Sequence, residues 1–78
     1  MTNAERLAAR MTSVEKAKVL AAGSQGLIAT YHDFKSELSG GRLHGGTEEQ
    51  GIKEMEETVS LVAAEFKAKN SIPFGRAQ

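Results

Sequence analysis

Apolar residues recur at alternating steps of four and three along two stretches of the chain, which is the spacing of one face of a helix. Both stripes are narrow and heptad-like, as in the seam of a coiled coil. One residue beside each stripe, Ile28 and Leu61, widens it toward a second neighbour. The stripe positions are Leu20, Ser24, Leu27, Tyr31, Phe34 and Leu38 in the middle of the chain, and Ile52, Met55, Val59, Val62 and Phe66 in its last third.

Three threonines mark the starts of helices, because each is followed three residues later by Glu or Gln. In such a capping box the hydroxyl accepts a hydrogen bond from a free backbone N–H, and the longer side chain bonds back to the cap. The caps are Thr2, Thr12 and Thr47. Asn70, followed by Pro73, predicts the end of the last helix. These signals predict helices over 3–11, 13–38 and 47–69.

The helices predict an all-α fold, an antiparallel helical hairpin with a short N-terminal helix. A Gly-rich loop over 39–46 joins the two long helices within a single domain over 1–70, and a C-terminal tail covers 71–78. A hairpin leaves much of each stripe in water, and 78 residues supply only a small core. We therefore expect a homo-oligomeric, coiled-coil-like bundle, with a monomeric three-helix domain as the alternative.

Two glycines, Gly23 and Gly26, lie inside the predicted middle helix, where together they cost about 2 kcal/mol relative to alanine. One explanation is close packing of helices along a stripe of small residues, Ala22, Gly26 and Ala29 or Thr30. A second is a break near Gly23 that divides the segment into two helices. A third is a backbone surface that a ligand or a partner approaches closely.

Composition excludes several classes of function. Ten Lys and Arg balance ten Asp and Glu, so the charge does not favour binding to nucleic acid or to an anionic membrane. The chain has no cysteine, and its two histidines and paired glutamates form no metal-binding or catalytic pattern. We therefore expect no enzyme activity, no catalytic residue, no metal and no cofactor.

Targeting signals are also lacking in the sequence. No apolar stretch reaches the roughly 20 residues that cross a bilayer. The first residues, Met1 to Arg6, lack the apolar segment of a secretory signal peptide. We therefore expect a cytoplasmic protein with neither a nucleic-acid nor a membrane partner.

Two kinds of binding site remain as candidates. An interaction surface for a protein partner would use apolar residues beside the stripes and in the tail, namely Ile28, Leu61, Ile72 and Phe74. A pocket for a small anion such as a nucleotide would lie between subunits, where loop amides and the positive end of a helix dipole favour negative charge. Its side chains would be Tyr31, Lys35, Arg42 and His44.

The first candidate is the preferred one. We predict a small non-enzymatic protein that acts through protein–protein interaction, as an adaptor, an inhibitor or an assembly component, with further copies of itself among its partners. An oligomer that sequesters a small anionic ligand is the alternative. A simple hairpin connection is the competing interpretation of the Gly-rich loop.

Overall fold

The computed structural model describes the backbone of residues 1–40 and 45–77, and the side chains of residues 1–40 and 45–69. Within these residues the protein is all-helical and has no strand. Two short 3-10 turns, Ser24–Gly26 and Lys35–Glu37, flank the third helix. The α-helices are α1 (Asn3–Arg10), α2 (Ser13–Ala22), α3 (Leu27–Asp33) and α4 (Glu48–Ala77).

All three predicted helix starts are confirmed. Thr2 and Thr12 each form a complete capping box with the glutamate three residues later. Thr47 does the same with Gln50, since the Gln50 N–H donates to the Thr47 hydroxyl at 3.1 Å and the Thr47 N–H donates to the Gln50 side chain at 3.0 Å. Each box satisfies backbone donors that a helix start otherwise leaves without partners.

The continuous helix predicted over 13–38 is wrong. The chain breaks at Gly23, whose φ of +61° lies in the region that favours glycine. The break near Gly23 was one of the three explanations for this glycine pair. A Cβ added to Gly26 would lie 2.8 Å from the Ala22 Cβ, but this contact is local to the turn, and close packing of helices along the small-residue stripe stays a prediction. The break replaces one long helix with α2 and α3.

Three shorter helices consequently pack against α4. The His32 ring of α3 lies 3.8 Å from the Glu48 carboxylate at the start of α4. Ala4 of α1 is next along α4, because the Thr58 hydroxyl lies 3.5 Å from its carbonyl oxygen. Lys16 of α2 is the farthest along, with its Nζ 2.9 Å from the Glu65 carboxylate. The resulting molecule is elongated, 50 × 26 × 18 Å.

The core lies between α4 and the three shorter helices. Its buried apolar residues are Leu7, Met11, Val19, Tyr31, Phe34, Leu38, Met55 and Val62. The most buried line of α4 is Gly51, Met55, Thr58 and Val62. This line is rotated from the predicted stripe, so Ile52 and Val59 are only half-buried. Thr58 tolerates burial because its hydroxyl donates to the Glu54 carbonyl at 2.8 Å.

The end of α4 differs from the sequence prediction. The predicted stop was residue 69, but the helix continues through Pro73 to Ala77 and includes seven positions of the predicted tail. A proline inside a helix removes one backbone hydrogen bond and strains the preceding turn, which bends a helix without always ending it. Among the described residues, no helix combines the length and the apolar character needed to cross a membrane.

Candidate interaction surface

Tyr31 and Gly51 hold the first half of α4 against α3. Tyr31 is fully buried, and its hydroxyl donates to the Ser39 carbonyl at 3.2 Å. A Cβ at Gly51 would collide with the Tyr31 ring and with the Ser39 carbonyl oxygen. The tyrosine therefore reaches α4 only because residue 51 has no side chain.

Glu54 joins three segments at the same end of the molecule. Its carboxylate accepts from the Ser39 N–H at 2.7 Å and from the Ser39 hydroxyl at 2.8 Å. It also accepts from the Asn3 side-chain amide at 3.3 Å. These bonds connect α1, the chain after the second 3-10 turn and α4, so this carboxylate has a structural role.

The residues predicted for an anion pocket are only partly described. Lys35 is exposed, whereas Tyr31 is buried and has no surface for a solute to contact. Burial raises the pKa of Tyr31, and the nearby Glu48 and Glu54 raise it further, so the hydroxyl experiences a negative field. Arg42 and His44 lie outside the described residues. The anion pocket therefore stays a prediction.

The residues predicted for a protein partner are also partly described. Ile28 on α3 is 59% exposed and Leu61 on α4 is 36% exposed. Neither lines either of the two grooves described below. The side chains of Ile72 and Phe74 lie outside the described residues. These four assignments stay predictions.

A groove between α2 and the second half of α4, which we call the α2/α4 groove, brings exposed and buried apolar groups together. It has a volume of about 140 Å³, and its apolar lining is Ala17, Leu20, Val62 and Phe66. Phe66 is 57% exposed, although its stripe neighbour Val62 is buried. The groove therefore has a large aromatic side chain at its edge that the described residues leave more than half exposed.

Charged residues of both signs form the rim of the α2/α4 groove. The Lys16 Nζ donates to the two Glu65 carboxylate oxygens at 2.9 and 3.1 Å. Lys69 lies 4.0 Å from the same carboxylate. The hydrogen bond from Lys16 is the main reason that the pKa of Glu65 lies below its ordinary value. Such exposed pairs contribute little stability and can exchange partners readily.

A second groove, between α2 and α3, is larger but less apolar at its surface. Its volume is about 520 Å³. Its large apolar residues, Val19 and Phe34, are buried in the core, and its rim includes Lys18 and Asp33. It therefore presents no exposed large apolar side chain to a partner, unlike the α2/α4 groove.

Phe66 was predicted as a stripe residue rather than as a surface residue. The signal that could have found it is the break at Gly23, because that break limits α2 to ten residues, or about 15 Å. A short α2 leaves part of the stripe on α4 without a partner. Val14, 65% exposed on α2, was also missed as a surface residue.

The α2/α4 groove is the best-defined candidate site among the described residues, and comparison with known proteins adds no other. No protein-family model, curated protein or solved structure matches the chain. Within the part of the chain that the structure describes, no three His, Asp or Glu side chains group as metal ligands would. The α2/α4 groove instead combines a cavity, an exposed aromatic residue and a charged rim.

Proposed function

We propose that the protein is a non-enzymatic interaction protein, an adaptor, inhibitor or assembly component, that binds a polypeptide helix in the α2/α4 groove. The observation that carries this proposal is Phe66, an aromatic side chain 57% exposed at the edge of an apolar groove of about 140 Å³. A cavity of about 150 Å³ accepts a benzene ring. The groove therefore has the size for one aromatic or branched aliphatic side chain of a partner.

A partner helix bound in this groove would lie between α2 and α4. An aromatic anchor in an apolar pocket supplies most of the energy in many interfaces. The rim charges Lys16, Glu65 and Lys69 would set the direction of the partner helix, because opposite charges attract and like charges repel. The proposed partner is thus an amphipathic helix with an aromatic or aliphatic side chain and charges of both signs.

Self-association is part of this proposal. We propose that a coiled-coil-like homo-oligomer of hairpins pairs through the exposed end of the stripe on α4, at Phe66, because Met55 and Val62 are already buried within the chain. The alternative, an oligomer that sequesters a small anion, stays a proposal that depends on Arg42 and His44. The negative field at Tyr31 does not favour it.

Photochemical crosslinking tests the proposal in the cell that makes the protein. A photoreactive benzoylphenylalanine replaces Phe66 in one variant and Ile28, exposed on α3, in the matched control. We expect protein adducts from position 66 and few from position 28. Adducts from neither position would contradict the proposed function, and adducts from position 28 alone would move the interaction surface to α3.

A further inference from the structure

We infer that the occupant of the α2/α4 groove is a second copy of this chain, arranged so that Phe66 of each copy enters the groove of the other. This inference rests on the proposed function and names the partner for the same site. A two-fold axis makes such an interface isologous, because one surface patch then meets its own copy.

The shape of the patch is self-complementary. Phe66 is the projecting group, and the cavity beside it, lined by Ala17, Leu20 and Val62, is the receiving group. Both lie on one surface, so a two-fold rotation can place each ring in the opposite cavity. A groove of about 140 Å³ has room for one ring.

The charges along α4 select the direction of pairing. Residues 55–65 carry three glutamates and no lysine or arginine, whereas residues 67–77, which an antiparallel two-fold axis near Phe66 places beside them, carry two lysines, one arginine and no acidic residue. Parallel helices would place acidic beside acidic and basic beside basic segments. Antiparallel helices place opposite signs together, which lowers the electrostatic energy.

The groove rim supports the same direction. Around a two-fold axis near Phe66, Glu65 of one copy approaches Lys67 and Lys69 of the other, and the reverse contact forms by symmetry. Within one chain Glu65 already pairs with Lys16 and lies near Lys69. The carboxylate can therefore exchange an internal partner for one across the interface at little cost.

The size of the patch predicts a weak dimer. Stable complexes bury roughly 1,200–2,000 Å² of total surface, and smaller interfaces are transient. One groove and one aromatic ring per copy belong to the smaller class. We expect a monomer–dimer equilibrium that depends on concentration, with a dissociation constant on the order of micromolar to millimolar.

Sedimentation equilibrium of the full chain tests this inference, with Phe66→Ser compared with Ile28→Ser. Both replaced residues are more than half exposed, so both variants should stay folded, as circular dichroism can verify. We expect Phe66→Ser to lower the association constant by about tenfold or more, because it removes one buried aromatic side chain per copy. Ile28→Ser should leave it unchanged, because Ile28 does not line the groove, and an equal loss would overturn the groove as the interface and favour the predicted surface at Ile28.

A charge reversal adds a second variant that does not touch the apolar lining. Lys69→Glu should weaken the dimer, because the Lys69 side chain, 74% exposed, is one of the cations that meets Glu65 of the other copy. Lys53→Glu is the matched control on an exposed position of α4 far from the groove. Equal effects of the two reversals would overturn the antiparallel arrangement.

Isotope-filtered nuclear Overhauser spectra locate the interface in a mixture of labelled and unlabelled chains. We expect contacts between the Phe66 ring of one copy and the Leu20 methyl groups of the other. A dimer without these contacts would overturn the placement of the ring. A chain that stays monomeric at millimolar concentration would overturn the second copy as occupant, whereas adducts with other proteins from position 66 would still support the proposed function.

Discussion

The two halves of α4 carry one continuous apolar stripe but differ in what covers it. In the first half Gly51 and Met55 are buried beneath α1 and α3. In the second half Phe66 is 57% exposed beside α2 alone. Periodicity therefore defines the face that a helix can bury, whereas the lengths of its neighbours decide how much of that face is buried.

The polar contacts of the two halves differ in the same way. Glu54 is held by Ser39 and Asn3 from two other segments, and it is partly buried. Glu65 is held by Lys16 at the surface, where water competes for both groups. The first half is thus fixed by packing and by hydrogen bonds, and the second half keeps contacts that another chain can replace.

The largest expected effect on stability is that of Met55→Ala, and Phe66→Ala is the variant with which it is compared. Met55 has no exposed surface, so its truncation leaves a cavity and should lower the free energy of unfolding by about 2–5 kcal/mol. Phe66→Ala should lower it by less than about 1 kcal/mol, because more than half of the ring is already in water. Urea denaturation of both variants measures the difference, and similar losses would show that the halves are equally packed.

Gly51→Ala tests why the first half is tight. Alanine is the better helix former by about 1 kcal/mol. Its Cβ would nevertheless collide with the Tyr31 ring and the Ser39 carbonyl. We expect a net loss of about 1–3 kcal/mol in thermal or urea unfolding.

Ser60→Ala is the control for Gly51→Ala, at an exposed position of the same helix. It should be neutral or slightly stabilising, because position 60 is exposed and alanine has the higher helix propensity. A Gly51→Ala variant that gained as much as Ser60→Ala would show that Tyr31 does not pack closely on α4.

Tyr31→Phe removes one hydrogen bond from the tight half and should cost about 1 kcal/mol. The pKa of Tyr31 is raised by burial, so its contribution to stability is fully present below the unfolded pKa, about 10, and is lost as the pH rises toward the folded value. The stability difference between wild type and Tyr31→Phe should therefore shrink above about pH 10. A difference that is constant with pH would contradict a buried, protonated tyrosine.

Lys16→Met should have the smallest effect on stability. It removes the partner on α2 of Glu65, which lies in the second half of α4. The pKa of Glu65 is lowered chiefly by the hydrogen bond from Lys16, so this pair stabilises the fold above the unfolded pKa, about 4.3, and the contribution is lost as the pH falls through the folded value. Lys16→Met should raise the Glu65 titration midpoint toward its ordinary value in a carboxyl-detected NMR titration. An unchanged midpoint would show that the pair does not persist in solution.

Local signals in the sequence predicted the starts of the helices well. The capping boxes at Thr2, Thr12 and Thr47 depend on residues within one turn, so the sequence shows them without knowledge of the tertiary contacts. The all-α class follows from the same signals and from the apolar period. The break at Gly23 had to stay one of three explanations, because glycine permits a positive φ without requiring it.

Tertiary contacts decided the features that the sequence did not predict. Gly51 and Thr58 lie on the buried line of α4 although neither is a large apolar residue. Tyr31 approaches the helix closely at Gly51, and α1 does so at Thr58. Phe66 has the same period as Met55 and Val62, and only the short length of α2 shows that it is exposed. The helix α4 continues past Asn70 and through Pro73, because a stop signal in the sequence gives only a tendency and does not prevent the helix from continuing.

The position of α4 at the end of the element order has a consequence for synthesis on the ribosome. The three shorter helices share a neighbour that is made after them, and bonds such as Asn3 to Glu54 span 51 residues. Until residues 48–65 have left the exit tunnel, α1, α2 and α3 lack the helix against which most of the core packs. We therefore expect the core to close late, when the supporting helix emerges.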